Sequence, residues 1–167
     1  GVIAASAGNH AQGLAMAAGR MGVRAIIIGC FDDTGLVEAR ARARCPIIGI
    51  GQAAYHAAVA VGGRFSVVTT LSVSVPVLEA NIANYALAVH LGRVRASGVP
   101  VLDLERHPEA AADTVILEMR RAAESDKIGA IVAGCAGMVD IPRLAAKIIR
   151  VPVIEGVRTA ASLAALC

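Results

Sequence analysis

Two short apolar runs, each ending in a cysteine, constrain the fold of this chain more than any other feature. Residues 25–29 lead into Cys30, and residues 128–134 lead into Cys135. Ile, Val and small residues dominate both runs, as is typical of parallel strands buried on both faces. Because ligands bind at the carboxyl ends of strands in open α/β sheets, we expect the two thiols to serve one site. Two such thiols suit the transfer of a proton onto and off opposite faces of a carbon atom.

Strand and helix patterns alternate along the whole chain, which predicts an α/β fold with parallel sheets. The predicted strands are residues 2–5, 25–29, 46–50, 65–69, 93–96, 128–133 and 151–154, and the predicted helices are residues 9–21, 34–43, 53–61, 77–90, 108–124, 142–149 and 159–166. Gly62-Gly63 marks a boundary between two series of these elements. We therefore expect a first lobe of residues 1–63, a second lobe of residues 64–154, and a C-terminal helix, residues 155–167, that packs back on the first lobe.

Composition excludes several classes of function. Although 56% of the 167 residues are hydrophobic, residues 45–63, a 19-residue stretch without a charged side chain, contain a proline and four glycines, so we predict no transmembrane segment. Aromatic residues make up 2% and the net charge is +3, which argues against a nucleic-acid partner. The four cysteines lack metal-site spacing, which predicts no bound metal and reduced thiols in a cytoplasmic protein.

Five segments in order resemble hydantoin racemases of the aspartate/glutamate racemase superfamily. They are residues 28–36 (Ile-Gly-Cys-Phe-Asp-Asp-Thr-Gly-Leu), 64–71, 94–102, 134–138 (Gly-Cys-Ala-Gly-Met) and 151–157. The resemblance implies two Rossmann- or flavodoxin-like parallel-sheet lobes, racemisation of 5-substituted hydantoins or allantoin without a cofactor, and a homo-oligomer. It also implies that one cysteine of the pair Cys30 and Cys135, as thiolate, removes the substrate proton and that the other, as thiol, returns one.

The same resemblance places the substrate among residues near the two cysteines. We expect contacts from Phe31, Thr69, Thr70, Gly134, Ala136, Gly137 and Met138, although Met138 fits a core position equally well. A helix N-terminus lowers the pKa of a preceding thiol, and the pattern predicts one after each cysteine. Asp32 and Asp33 oppose that effect at the first cysteine, or one of them caps the following helix. Cys45 and Cys167 are expected to be small apolar residues without a catalytic role.

Residues 1–23 have a different character. Ser6, Gly8, Asn9 and His10 resemble the Ser-x-Gly-Asn-His loop of threonine dehydratases, enzymes that use pyridoxal phosphate (PLP), and such a loop at a helix N-terminus suits an anion. The PLP-binding lysine expected upstream is absent, so we predict no PLP chemistry. The Asn-Pro-Asn-Thr-like motif that precedes the first cysteine in the racemases is missing here. We therefore expect a truncated or spliced first lobe, in which the loop of Ser6, Gly8 and Asn9 could supply an anion site.

Two other functions fit the sequence. A cysteine-dependent isomerase or decarboxylase of a small dicarboxylate would have the same fold, but such a decarboxylase needs one proton donor rather than two. A catalytically inactive scaffold is the alternative from a different class, because the first lobe looks incomplete.

Overall fold

The computed structural model describes residues 2–4 and 23–167 of the chain. Its strands form two parallel sheets, one of order β1-β2-β3 and one of order β5-β4-β6-β7. The strands are β1 (Val2–Ala4), β2 (Ile26–Ile28), β3 (Ile47–Gly49), β4 (Phe65–Thr69), β5 (Leu91–Ala96), β6 (Ala130–Ala133) and β7 (Val153–Glu155). The predicted parallel α/β architecture is therefore confirmed. The exact division into lobes stays a prediction.

Helices connect successive strands of these sheets. They are α1 (Leu36–Arg42), α2 (Ile50–Gly62), α3 (Val75–Asn84), α4 (Val101–Arg106), α5 (Pro108–Ser125), α6 (Ile141–Ala145) and α7 (Gly156–Ala164), with 3₁₀ turns at Ser72–Ser74, Ala88–His90 and Ala136–Met138. None of the helices in the described part of the chain is both long and apolar enough to span a bilayer.

Two predicted helices end earlier than expected, and one helix was not predicted. The helix expected at residues 77–90 ends at Asn84, because Ala86 adopts the left-handed conformation (φ 60°) that an α-helix cannot continue through. The helix expected at residues 142–149 ends at Ala145. Helix α4 was not predicted at all, and the helix expected at residues 9–21 lies outside the described residues.

The second sheet lies at the centre of the core. Side chains of β4 and β6 alternate between two apolar clusters, so that Phe65 and Val67 pack with α2 and α3, whereas Val68 packs with α5 and α6. This alternation follows from the two-residue period of a strand. It explains why β4 and β6 read as continuous apolar runs, since both of their faces are covered.

Helix α2 links the two sheets, because it follows β3 directly and leads into β4. Its last residue, Gly62, meets Gly129 so closely that a Cβ on either glycine would collide with the backbone of the other. Its first residue is Ile50, and a Cβ added at Gly156, the first residue of α7, would collide with the backbone carbonyl of Ile50. These close approaches fix α2 against β6 and α7, and the carboxyl ends of β2, β4 and β6 consequently open into one cavity.

Candidate active site

A cavity of about 370 Å³ lies at the carboxyl ends of β2, β4 and β6. That volume is in the range of small-molecule sites. Its lining comes from the connections that follow β2, β4, β5 and β6, and comprises Gly29, Cys30, Phe31, Asp32, Thr69, Thr70, Ser74, Val101, Glu105, Gly134, Cys135, Ala136 and Gly137. The structure thus brings together the two cysteines and six of the seven residues that we expected to contact a substrate.

Met138 is the exception. Its side chain is fully buried in the core beside α5 and β6, and it does not line the cavity. The expected substrate contact is therefore wrong, and the core position that the sequence also allowed is the one observed. The candidate anion loop of Ser6, Gly8 and Asn9 lies outside the described residues.

Cys135 lies in a mostly buried position at the end of β6. Burial raises the pKa of its thiol above the usual value, since a thiolate is poorly solvated there. The N–H of Gly137 donates to the sulfur and opposes this rise, whereas negative charge at Asp32 and at Cys30 adds to it. The expectation of a lowered pKa at Cys135 is wrong, because a single 3₁₀ turn (Ala136–Met138) follows it and burial outweighs the one hydrogen bond.

Cys30 is half-buried and begins a tight turn after β2. The N–H of Asp33 donates to the Cys30 carbonyl (3.1 Å), and Asp33 has a left-handed backbone with φ 50°. Helix α1 begins only at Leu36, with Gly35 as N-cap and no side-chain cap. The helix predicted at residues 34–43 is therefore present but begins two residues later than expected, and the predicted cap from Asp32 or Asp33 is wrong.

Asp33 instead reaches across to a different helix. Its Oδ1 accepts from the N–H of Gly51 (3.1 Å) and its Oδ2 accepts from the N–H of Gln52 (2.7 Å), which are free donors in the first turn of α2. The hydroxyl of Tyr85 also donates to Oδ2 (2.8 Å). Burial raises the pKa of Asp33 to about 6, although these donors and the positive charge of Arg40 act in the opposite direction.

The hydroxyls on the β4 side of the cavity have different roles. The Thr69 hydroxyl donates to the carbonyl of Gly134 (3.0 Å), which ties the end of β4 to the residue preceding Cys135. The hydroxyl proton of Thr69 is therefore used in a hydrogen bond within the protein. Thr70 and Ser74 line the cavity beside it.

The cavity carries two acidic side chains that the sequence analysis did not assign to the site. Asp32 lines it next to Cys30, and burial raises the pKa of the Asp32 carboxyl. Glu105 lines it from α4, the helix that the sequence pattern did not indicate. The charged side chains in the described lining are therefore both acidic. Residues 2–4 and 23–167 hold no cluster of three or more His, Cys, Asp or Glu side chains suited to a metal.

The other two cysteines lie away from this cavity. Cys45 packs beside the small apolar cluster around β2 and α1, as expected of an apolar side chain. Cys167 is exposed, so it does not pack in the core as a small apolar residue would.

Comparison with known proteins agrees with this geometry. A family model described as Asp/Glu/Hydantoin racemase matches residues 3–164. The chain belongs to this family. The match includes most of the segment that resembles threonine dehydratases, and that second resemblance stays a prediction. A hydantoin racemase from Rhizobium meliloti is 45% identical over 143 residues, which cover 86% of this chain and 59% of that protein.

Solved structures of allantoin racemases show the same fold. The enzyme from Klebsiella pneumoniae superimposes with a TM-score of 0.88 and 35% identity, covering 93% of this chain and 63% of that one. The enzyme from Pseudomonas fluorescens gives 0.83 and 31%, covering 96% of this chain and 71% of that one. This racemase-family chain therefore spans about three-fifths of the length of the curated relative described above.

Proposed function

We propose that this chain carries the active site of a cofactor-independent racemase of 5-substituted hydantoins or of allantoin, which is itself a 5-substituted hydantoin. The observation that carries the proposal is the pair Cys30 and Cys135 in the lining of one cavity. The relatives with 31–45% identity that are named hydantoin racemase and allantoin racemase support it.

The proposed chemistry is a two-base proton exchange at the C5 carbon of the ring. The Cys30 thiolate removes the C5 proton, and the electrons of that bond move onto the neighbouring ring carbonyl to give an enolate. The Cys135 thiol then protonates C5 from the opposite face and becomes the thiolate, and the opposite enantiomer reacts with the two roles exchanged. One proton leaves and one returns, so no oxidant or cofactor is required.

The electrostatics of Cys135 suit the proton donor in the first direction. Burial and the charge at Cys30 raise the pKa of the Cys135 thiol, so a Cys30 thiolate favours a protonated Cys135. The pair then holds one proton, which is the state that a two-base racemase requires at the start of each turnover. The backbone N–H groups of Phe31 and Ala136 are the candidates for stabilising the enolate oxygen.

The acidic lining favours a neutral ring over a dicarboxylate. Asp32 and Glu105 would repel the carboxylates of an amino acid or a malonate, whereas they can accept hydrogen bonds from the ring N–H groups of a hydantoin. This charge argument ranks the racemase above the dicarboxylate isomerase or decarboxylase that the sequence also allows.

We propose that the protein is cytoplasmic, because the proposed chemistry needs reduced thiols. We also propose that it forms a homo-oligomer, because the family resemblance implies self-association. The four cysteines are free in the structure. Gel filtration with light scattering would test the oligomeric state.

A substrate panel tests the proposal against its alternatives. Enantiopure 5-alkyl hydantoin, allantoin, glutamate and a phenylmalonate are each incubated with the protein, and optical rotation and released CO₂ are measured. Enzyme-dependent loss of rotation with a hydantoin or with allantoin, and not with glutamate, supports the proposal. Release of CO₂ from the malonate contradicts it in favour of a decarboxylase. No reaction from protein shown to be folded by circular dichroism contradicts it in favour of the scaffold.

A further inference from the structure

The turn that carries Cys30 is fastened to two neighbouring elements by buried polar contacts. The carboxylate of Asp33 binds the first N–H groups of α2 and the hydroxyl of Tyr85, which follows α3. The amide of Asn81 on α3 donates to the backbone carbonyl of Asp32 (2.6 Å). Asp33 is 6% exposed, and its neighbour Asp32 lines the cavity.

The surrounding backbone is shaped to accept the Asp33 carboxylate. A Cβ at Gly49 would collide with Oδ1 of Asp33, and a Cβ at Gly51 would collide with the Phe31 carbonyl and approach Oδ2 of Asp33 to 2.8 Å. Asp33 itself holds the left-handed conformation, which non-glycine residues adopt only where the surroundings enforce it. Two glycines and one strained residue thus coincide where the Cys30 turn meets α2.

We propose that Asp33 is a positioning residue for Cys30, and that its carboxylate holds the thiol in place within the cavity shared with Cys135. The inference rests on the proposed racemase function. Asp33 is not in the cavity lining, so it acts through the turn rather than on the substrate. Helix α3 follows β4, so its link to the turn ties Cys30 of the first sheet to the second sheet, where Cys135 lies.

Protonation of Asp33 would weaken this link. Protonation removes the negative charge that strengthens the hydrogen bonds from Gly51, Gln52 and Tyr85, and the protonated oxygen loses part of its capacity to accept them. The ionisable groups that interact with it are Arg40 on α1, Tyr55 on α2 and Tyr85 after α3. The pKa of about 6 places the change inside the range in which an enzyme can be assayed.

Two variants test the role in turnover. We expect Asp33→Ala to lower kcat by about 100-fold with little change in KM, since an error of about 1 Å in a reacting group has that effect. For the wild type, the slope of log kcat against pH should become steeper by about one below about pH 6, where Asp33 takes up its proton. Asp33→Asn should have a lower kcat and lack this change of slope, because its amide does not titrate.

A readout independent of substrate separates this inference from the proposed function. Asp33→Ala should increase the rate of Cys30 alkylation by iodoacetamide several-fold, measured by mass spectrometry, while Cys45 in the same protein reacts at its wild-type rate. Asp140→Asn, a change of an exposed carboxylate, is the control and should alter neither readout.

Tyr85→Phe tests the hydrogen bond from the Tyr85 hydroxyl to Asp33. It should reduce kcat when introduced into the wild type and have no further effect when introduced into Asp33→Asn. The inference is overturned if Cys30 alkylation is unchanged in Asp33→Ala, or if the activity lost matches the unfolded fraction measured by circular dichroism. A wild type without racemase activity overturns the proposed function, and the alkylation rates then still decide the role of Asp33.

Discussion

The buried carboxylate of Asp33 makes a quantitative prediction about stability. Its pKa lies at about 6 in the folded protein and near the ordinary value of 3.8 in the unfolded chain. Because the folded pKa is raised, the group contributes stability that is fully present below about pH 4 and is lost as the pH rises through about 6. The full shift of about two pKa units corresponds to about 3 kcal/mol.

The variant Asp33→Asn isolates this contribution. The amide does not titrate, so the difference in unfolding free energy between wild type and variant should fall by about 2 kcal/mol from about pH 4.5 to about pH 7.5. Urea unfolding followed by circular dichroism at several pH values measures this, provided that the denaturant slope is unchanged. Asp140→Asn, at a side chain 64% exposed, is the matched control for replacing a carboxylate by an amide.

The sign of the trend is decisive. A difference that stays constant with pH, or that grows in favour of the wild type as the pH rises, would refute the conclusion that burial dominates at Asp33. Tyr85→Phe provides a second check, because loss of its hydroxyl donor should raise the pKa of Asp33 and extend the titration to higher pH.

Three further predictions concern the core and the thiols. Asp126→Asn should destabilise the protein by about 3 kcal/mol in urea unfolding, because it leaves Arg95 partly buried without its main ion-pair partner. Gly129→Ala should destabilise it by about 3 kcal/mol or more, since the new methyl group meets the backbone of α2. Mild peroxide should abolish activity, and dithiothreitol should restore it, if Cys30 and Cys135 oxidise to a disulfide detectable by mass spectrometry; equal activity with and without reductant would contradict this.

The sequence predicted those parts of the fold that depend on local patterns. Parallel strands buried on both faces appear as apolar runs in the sequence. The bounds of β4 and β6 could therefore be predicted to within about two residues, together with the cysteine that follows β6. The bounds of α3 could not be predicted, because the helix stops where Ala86 adopts a positive φ, and an alanine gives no sequence signal for that conformation.

The supporting contacts of the site were not predictable from local patterns. Asp33 was expected to cap the next helix in the sequence but caps α2, which begins 17 residues later, and this depends on how two connections pack. Glu105 was missed because α4 was missed. The rise in the pKa of Cys135 was missed because burial is a property of the folded chain. The cysteine pair itself was identifiable, because each thiol ends an apolar run.

The most direct test of the two-base account is stereospecific proton exchange at C5. Each enantiomer of a 5-alkyl hydantoin is incubated in deuterated buffer with the wild type, Cys30→Ser and Cys135→Ser, and rotation and deuterium content are followed by polarimetry and proton NMR. The account predicts that the wild type racemises and deuterates both enantiomers above the buffer rate, whereas neither variant racemises and any remaining exchange affects opposite enantiomers in the two variants. Racemisation by either single variant at the wild-type rate would contradict it.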